Sequence, residues 1–237
     1  MKTVYYILII VLFVYIINRY IEIEDYFEFK RSHPYSFPLV SIEDNFFSPN
    51  ECKDLKDYIL KHELLNNDWG KNDFVIRFNT SEYSKKMFLE KKLEKIYKIF
   101  ERIKQPGTNA YIVNTAILSN SHNSEEYNDI EFHYDDTIEL KDFMGRNTLP
   151  VCTTILYINI PENYTGGNLI LKPFANKNKE KLYKPKQGRR LTFRGDMHHS
   201  VEPFFCDYTT KRLSLVFEQY KIPDKYIHET EFNINER

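Results

Sequence analysis

The sequence predicts an α+β protein: supporting N-terminal helices lead into short strands that close as a double-sheet jelly roll, a double-stranded β-helix. A single N-terminal transmembrane helix precedes them. Three observations predict it. Positions 4–17 are an unbroken apolar stretch. Two segments with apolar residues at intervals of three and four follow, and behind Pro106-Gly107 the texture changes to short apolar runs separated by turn residues. Tyr and Phe number 18 each against 7 Gly, a composition that suits strands with bulky interior side chains.

The apolar stretch lies behind Lys2 and is closed by Asn18-Arg19. It is shorter than the roughly 20 residues that span a bilayer, but no small-residue cleavage site follows it. Residues 1–23 are therefore read as an uncleaved signal anchor, with Tyr5, Tyr6, Tyr15 and Tyr20 near the interfaces. Lys2 on one side and Arg19, Lys30 and Arg31 on the other leave the orientation open. The domain faces either the endoplasmic reticulum lumen or the cytoplasm. Sequons at Asn79 and Asn163 are compatible with the lumen. Residues 24–38, charged, aromatic and broken by Pro34 and Pro38, form a linker. The folded domain is residues 39–237.

Within that domain, Ser48-Pro-Asn-Glu51 announces a helix. Ser48 caps it, Pro49 suits the first turn and Glu51 completes a capping box, so Cys52, Leu55 and Ile59 point inward. A second helix is expected over 81–104, with Leu89, Leu93, Ile96, Phe100 and Ile103 as its buried stripe. Strands are expected at 110–118, 130–134, 152–160, 168–172, 190–193, 199–204 and 213–220, with Gly166-Gly167 as a tight turn. Residues 136–149 and 174–187 are read as mobile loops. The second is a solvated loop carrying Lys177, Lys179, Lys181, Lys184 and Lys186. Trp69 either lines a groove or fills the core, and His122 is an exposed loop residue.

A formal charge of −1 gives no reason to expect nucleic acid. Cys52, Cys152 and Cys206 have no C-x-x-C spacing, which excludes a cysteine zinc site and a fully paired disulfide framework. The chemistry lies elsewhere. His133 and Asp135 alternate onto one face at a strand end, and His199 returns on a later strand. His198 is the competing histidine, but Val201 and Pro203 share the parity of His199. Two histidines and one carboxylate are a facial ligand set for Fe(II), with the opposite positions open. Arg212 and Ser214 share one face of the last long strand, where a guanidinium and a hydroxyl together grip a carboxylate.

These residues carry a resemblance. Asp44-Asn-Phe-Phe-Ser-Pro-Asn-Glu-Cys52, His133-Tyr-Asp135, Thr153-Thr-Ile-Leu-Tyr-Ile-Asn159, Gly166-Gly-Asn-Leu169, Gly188-Arg-Arg-Leu-Thr-Phe193, His199-Ser-Val-Glu-Pro203 and Arg212-Leu-Ser214 together resemble, in order, the Fe(II)- and 2-oxoglutarate-dependent dioxygenases, within them the prolyl 4-hydroxylase-like group. The resemblance spans about residues 40–220. It implies Fe(II) held by His133, Asp135 and His199, and 2-oxoglutarate held by Arg212 with Ser214 and Tyr157. It also implies ascorbate as an accessory cofactor and hydroxylation of a protein or peptide, on proline if it follows the group, with release of succinate and carbon dioxide. Residues 118–127 and the segment holding Cys206-Asp-Tyr-Thr-Thr210 depart from the group, which leaves the substrate open. A hydroxylase of lysine or of a small molecule is the alternative within enzymes, and a non-catalytic jelly-roll binding module the alternative outside them.

Overall fold

The computed structural model describes residues 8–17, 38–65, 74–119, 130–139, 147–173, 179–207 and 210–236. The chain divides into two units, Met1–Phe37 and Pro38–Arg237. In the first, residues 8–17 are helical and exposed. At 1.5 Å per residue these described residues span about 15 Å, half the hydrocarbon thickness of a bilayer. No helix among the described residues is long and apolar enough to cross a membrane. This corrects the expected single-pass transmembrane anchor, and with it the membrane and lumenal placement: the segment has the apolar character, but its described helical residues are too few to cross. Asn79 gives no support to the lumen either. It is 4 % exposed, its Nδ2 donates to the Ile227 carbonyl and its Oδ1 accepts from Ser81 and Ser84.

The second unit begins with β1 (Val40–Glu43), α1 (Pro49–Leu60), β2 (Phe74–Asn79), α2 (Glu82–Glu90) and α3 (Glu94–Ile103). Strands β3 (Ala110–Ser119), β4 (Ile130–His133), β5 (Ile138–Glu139), β6 (Asn147–Thr148) and β7 (Cys152–Asn159) follow. Then come β8 (Tyr164–Gly166), β9 (Leu169–Pro173), β10 (Lys181–Tyr183), β11 (Arg190–Arg194) and β12 (Met197–Val201). The chain closes with β13 (Phe204–Cys206), β14 (Lys211–Tyr220), a 3-10 turn over Asp224–Thr230 and β15 (Asn233–Glu236).

A seven-stranded sheet has the order β1-β11-β7-β14-β3-β2-β15, and a four-stranded sheet the order β10-β9-β12-β4. Four antiparallel pairings explain both: β3 with β14, β4 with β12, β7 with β11, and β9 with β10. Taken in chain order, the first of these eight strands pairs with the last, the second with the seventh, and so inward. One long hairpin is thus rolled over on itself, which is the double-sheet jelly roll expected from the sequence.

Strand alternation gives the seven-stranded sheet two apolar faces. Leu156, Ile158, Leu213, Leu215 and Phe217 pack outward against the helices, where Phe78 meets the rings of Phe88, Phe100 and Tyr111 at 4.8, 4.9 and 5.2 Å. Ile155, Tyr157, Leu191 and Phe193 point into the roll against Leu169, Leu171 and Val201. The Ser48–Glu51 capping box is present, and Cys52, Leu55 and Ile59 are buried beneath α1.

The expected second helix is two helices. α2 ends with the Leu93 N–H on the Phe88 carbonyl and the Lys92 N–H on the Leu89 carbonyl, while Lys92 takes a left-handed conformation, φ 57°. This is a Schellman stop with lysine where glycine is usual, so no residue type announces it. The break shifts the stripe: Phe88 is buried and Leu89 is 59 % exposed. Both segments read as mobile loops contain strand, β5 and β6 in the first and β10 in the second, while their residues 140–146 and 174–178, like Trp69 and His122, lie outside the described residues. All three cysteines are buried.

Lys92→Gly removes the left-handed penalty and is expected to stabilise the protein by about 1 kcal/mol in denaturant melts.

Candidate active site

β4 and β12 are neighbours in the four-stranded sheet, and their register sets His133 directly opposite His199. An irregularity between His199 and Val201 gives β4 one extra residue there, and such bulges re-aim side chains. The two imidazoles lie 4.2 Å apart at their centroids. The chain then leaves β4, and Asp135 reaches inward until Oδ1 is 3.7 Å from His133 Nε2 and 3.5 Å from His199 Nε2. One ligand atom from each of the three residues lies within 4.8 Å of the others. His198 points to the opposite face, stacked on Tyr134 at 4.7 Å and near Phe132. Strand parity therefore distinguished the two histidines.

The donor atoms are prepared. His133 Nδ1 lies 2.8 Å from the Glu131 carbonyl and His199 Nδ1 3.2 Å from the Met197 carbonyl. Each carbonyl accepts an Nδ1–H, which turns Nε2 toward Asp135 as the atom that would bind a metal. Thr153 Oγ1 donates to Asp135 Oδ2 at 2.5 Å, leaving Oδ1 toward the histidines. Burial pushes the Asp135 carboxyl up, but the attraction of His199, with hydrogen bonds from His199 and Thr153, outweighs it and holds the carboxyl below its usual range. Burial lowers His199, and Asp135 more than compensates, so its pKa is raised. This donor set fits a divalent metal such as Fe(II).

Further inside the roll lies a second group. Ser214 of β14 stands opposite Tyr157 of β7, beside a bulge in β7. Tyr157 Oη and Ser214 Oγ are both buried without a hydrogen-bond partner. Arg212, 4 % exposed, donates to the Gly167 carbonyl at 2.8 Å and lies over the Tyr157 ring at 5.3 Å. Burial lowers its pKa, the electrostatic influence of Tyr157 and Tyr164 opposes that, and no carboxylate of the described residues enters the balance. Gly167 is required: φ is +68°, and a Cβ would lie 2.6 Å from Phe204 and 2.9 Å from Arg212 Nη1. A buried guanidinium, a phenol and a hydroxyl without an anion fit the carboxylate of a ligand.

Sequence reasoning missed Thr153 and Glu218. Both alternate onto the inner face with residues it did find, Thr153 with Tyr157 and Glu218 with Arg212 and Ser214. Glu218 is opposite Thr153 and accepts a hydrogen bond from Tyr220. Burial, then the charge of Asp135, push its carboxyl up to about 8, against hydrogen bonds from Tyr220 and Thr137. It is therefore neutral at neutral pH and adds no second negative charge beside Asp135.

No family model matches the sequence, and no curated protein matches it. Solved structures are similar in fold. A Pseudomonas putida prolyl-4-hydroxylase aligns at 15% identity over 78% of this chain and 94% of its own, with TM-score 0.47. A 2OG-Fe(II) oxygenase family oxidoreductase from Burkholderia pseudomallei aligns at 11% over 78% and 85%, TM-score 0.45. A Trichoplax adhaerens prolyl hydroxylase, in complex with a hypoxia inducible factor peptide fragment, aligns at 15% over 81% and 87%, TM-score 0.48. All three scores lie below 0.5, and the reading of this chain rests on its own residues.

An acid whose folded pKa is raised loses stability as pH rises from its unfolded value to its folded one, because only the unfolded chain has then shed the proton. For Glu218 that window is about 4.5 to about 8. His199, raised, acts in the same direction. The melting temperature of the metal-free protein is expected to fall across this window, and the fall to be clearly shallower in Glu218→Gln.

Proposed function

We propose that this protein is an Fe(II)- and 2-oxoglutarate-dependent hydroxylase that acts on a protein or peptide, on proline in particular, with ascorbate as accessory reductant. His133, Asp135 and His199 would hold the iron, and Arg212, Ser214 and Tyr157 the far carboxylate of 2-oxoglutarate. The observation that carries this reading is the pairing of the two groups on one interior surface. Thr153, which holds Asp135, and Tyr157 are four residues apart on β7, roughly 13 Å along the strand. A five-carbon dicarboxylate with a coordination bond at one end and hydrogen bonds at the other covers roughly that span.

Bound iron supplies the oxygen chemistry: 2-oxoglutarate and oxygen become succinate and carbon dioxide, while one oxygen atom enters a substrate C–H bond. The residues do the rest. Two neutral imidazoles and one carboxylate partly offset a divalent charge, leaving the site cationic toward an incoming dianion. Arg212 offers a bidentate fork that a lysine lacks. The apolar walls of Ile155, Leu191 and Phe193 keep water away from the carboxylate pocket.

The test is to supply the full chain with Fe(II), ascorbate, 2-oxoglutarate and proline-rich peptides and to follow succinate and peptide mass. Succinate formation coupled to a peptide that gains one oxygen atom is expected. A folded, iron-loaded protein that forms no succinate would overturn the reading. His199→Ala and Asp135→Ala are expected to abolish turnover with the fold retained by circular dichroism. Arg212→Met is expected to raise the 2-oxoglutarate requirement by roughly 10–100-fold, the worth of a charged hydrogen-bond pair. In thermal melts 2-oxoglutarate should stabilise the wild-type protein and not this variant.

A further inference from the structure

The inner face of the seven-stranded sheet continues past the roll. β2 pairs with β3, setting Val75 opposite Asn114 and Arg77 opposite Ile112. Val75 and Ile112 cluster there with Ile138 and Tyr220. The register runs level across four strands: Thr153 is opposite Glu218, Glu218 opposite Ile112, and Ile112 opposite Arg77. Thr153 holds Asp135. Arg77 therefore stands three strand spacings from the strand position that anchors the metal side, roughly 14 Å, on the same face.

On the β2 and β3 part of this face two further buried polar atoms lack partners, Arg77 Nε and Asn114 Oδ1. They belong to diagonal neighbours of an antiparallel pair, roughly 7–8 Å apart, close enough to touch one small group together. Asn79, two residues along β2 on the same face, by contrast has partners at both its amide oxygen and its amide nitrogen. A buried donor or acceptor left unmade is costly, which is why such atoms pair in folded proteins. The two call for complementary partners, a guanidinium for a planar anion and an amide oxygen for an N–H. A carboxylate beside an N–H satisfies both.

We propose that Arg77 and Asn114 form the anchor for the primary substrate, and that this substrate carries a carboxylate next to an N–H, as the C-terminal residue of a peptide does. The assignment rests on the hydroxylase reading for the word substrate; the binding site does not. Arg212 pairs with Leu118 of β3 and Arg77 with Ile112, so the anchor lies apart from Arg212 and leaves 2-oxoglutarate its own pocket.

The test uses N-acetyl-L-alanine and its C-terminal amide as probes, followed on the 15N side-chain resonance of Arg77 in the full chain, both metal-free and loaded with zinc and 2-oxoglutarate. The resonance is assigned by its loss in Arg77→Lys. Saturable movement with N-acetyl-L-alanine, and at least tenfold weaker binding of the amide, is expected. Asn114→Asp, close in shape but anionic, should weaken the acid at least tenfold while its amide spectrum stays native. A resonance that does not move, or that responds equally to acid and amide, overturns the proposal. Because the readout needs no turnover, binding without succinate formation would remove the hydroxylase reading and leave the anchor standing.

Discussion

The position of β14 between β3 and β7 constrains everything else, because its alternation serves two layers at once. Leu213, Leu215 and Phe217 face the helices, while Arg212, Ser214 and Glu218 share the opposite parity and face the roll. A slip of one residue would bury the guanidinium among the helices and turn three core side chains into the pocket. The hydrophobic core therefore fixes the register that the candidate site needs. Stability and chemistry are specified by the same strand.

A second consequence concerns charge. The interior holds Asp135, Glu218 and Arg212, all below 10 % exposure, yet they are not paired into one salt bridge. Asp135 is offset by histidines, Glu218 stays neutral through burial, and Arg212 donates to a carbonyl with no carboxylate paired to it among the described residues. An ion pair of Arg212 with either acid would be cheaper for the empty fold and would close the pocket. Their separation along the strands leaves the roll electrostatically unfinished. A dianion is the kind of ligand that finishes it.

Much of this was legible from residues. Alternation around His133, Asp135 and His199, and the parity that favoured His199 over His198, depend only on the period of a strand. Ser48 and Glu51 announced their helix through a local hydrogen-bond pattern. What stayed hidden depended on neighbours distant in sequence. β2 carries Arg77 in an otherwise apolar run, and its interior face appears only once β3 is beside it. Lys92 ends α2 in a conformation usually left to glycine, so the stripe was continued one residue out of phase onto Leu89. The apolar N-terminal segment misled for another reason: hydropathy reports the preference of side chains, whereas spanning a bilayer also needs helical length, which its described residues do not reach.

The rolled hairpin has a kinetic side. Its outermost pairing joins Ala110 to Tyr220, and such distant contacts must be closed against chain entropy before they return any stability. His133 and His199 meet only when β4 and β12 have paired, and the carboxylate pocket only when β14 is in place. On the ribosome, every donor atom upstream of β12 must therefore wait for later strands to emerge. Any capacity of these three side chains to hold a metal therefore depends on strands far apart in the sequence having paired.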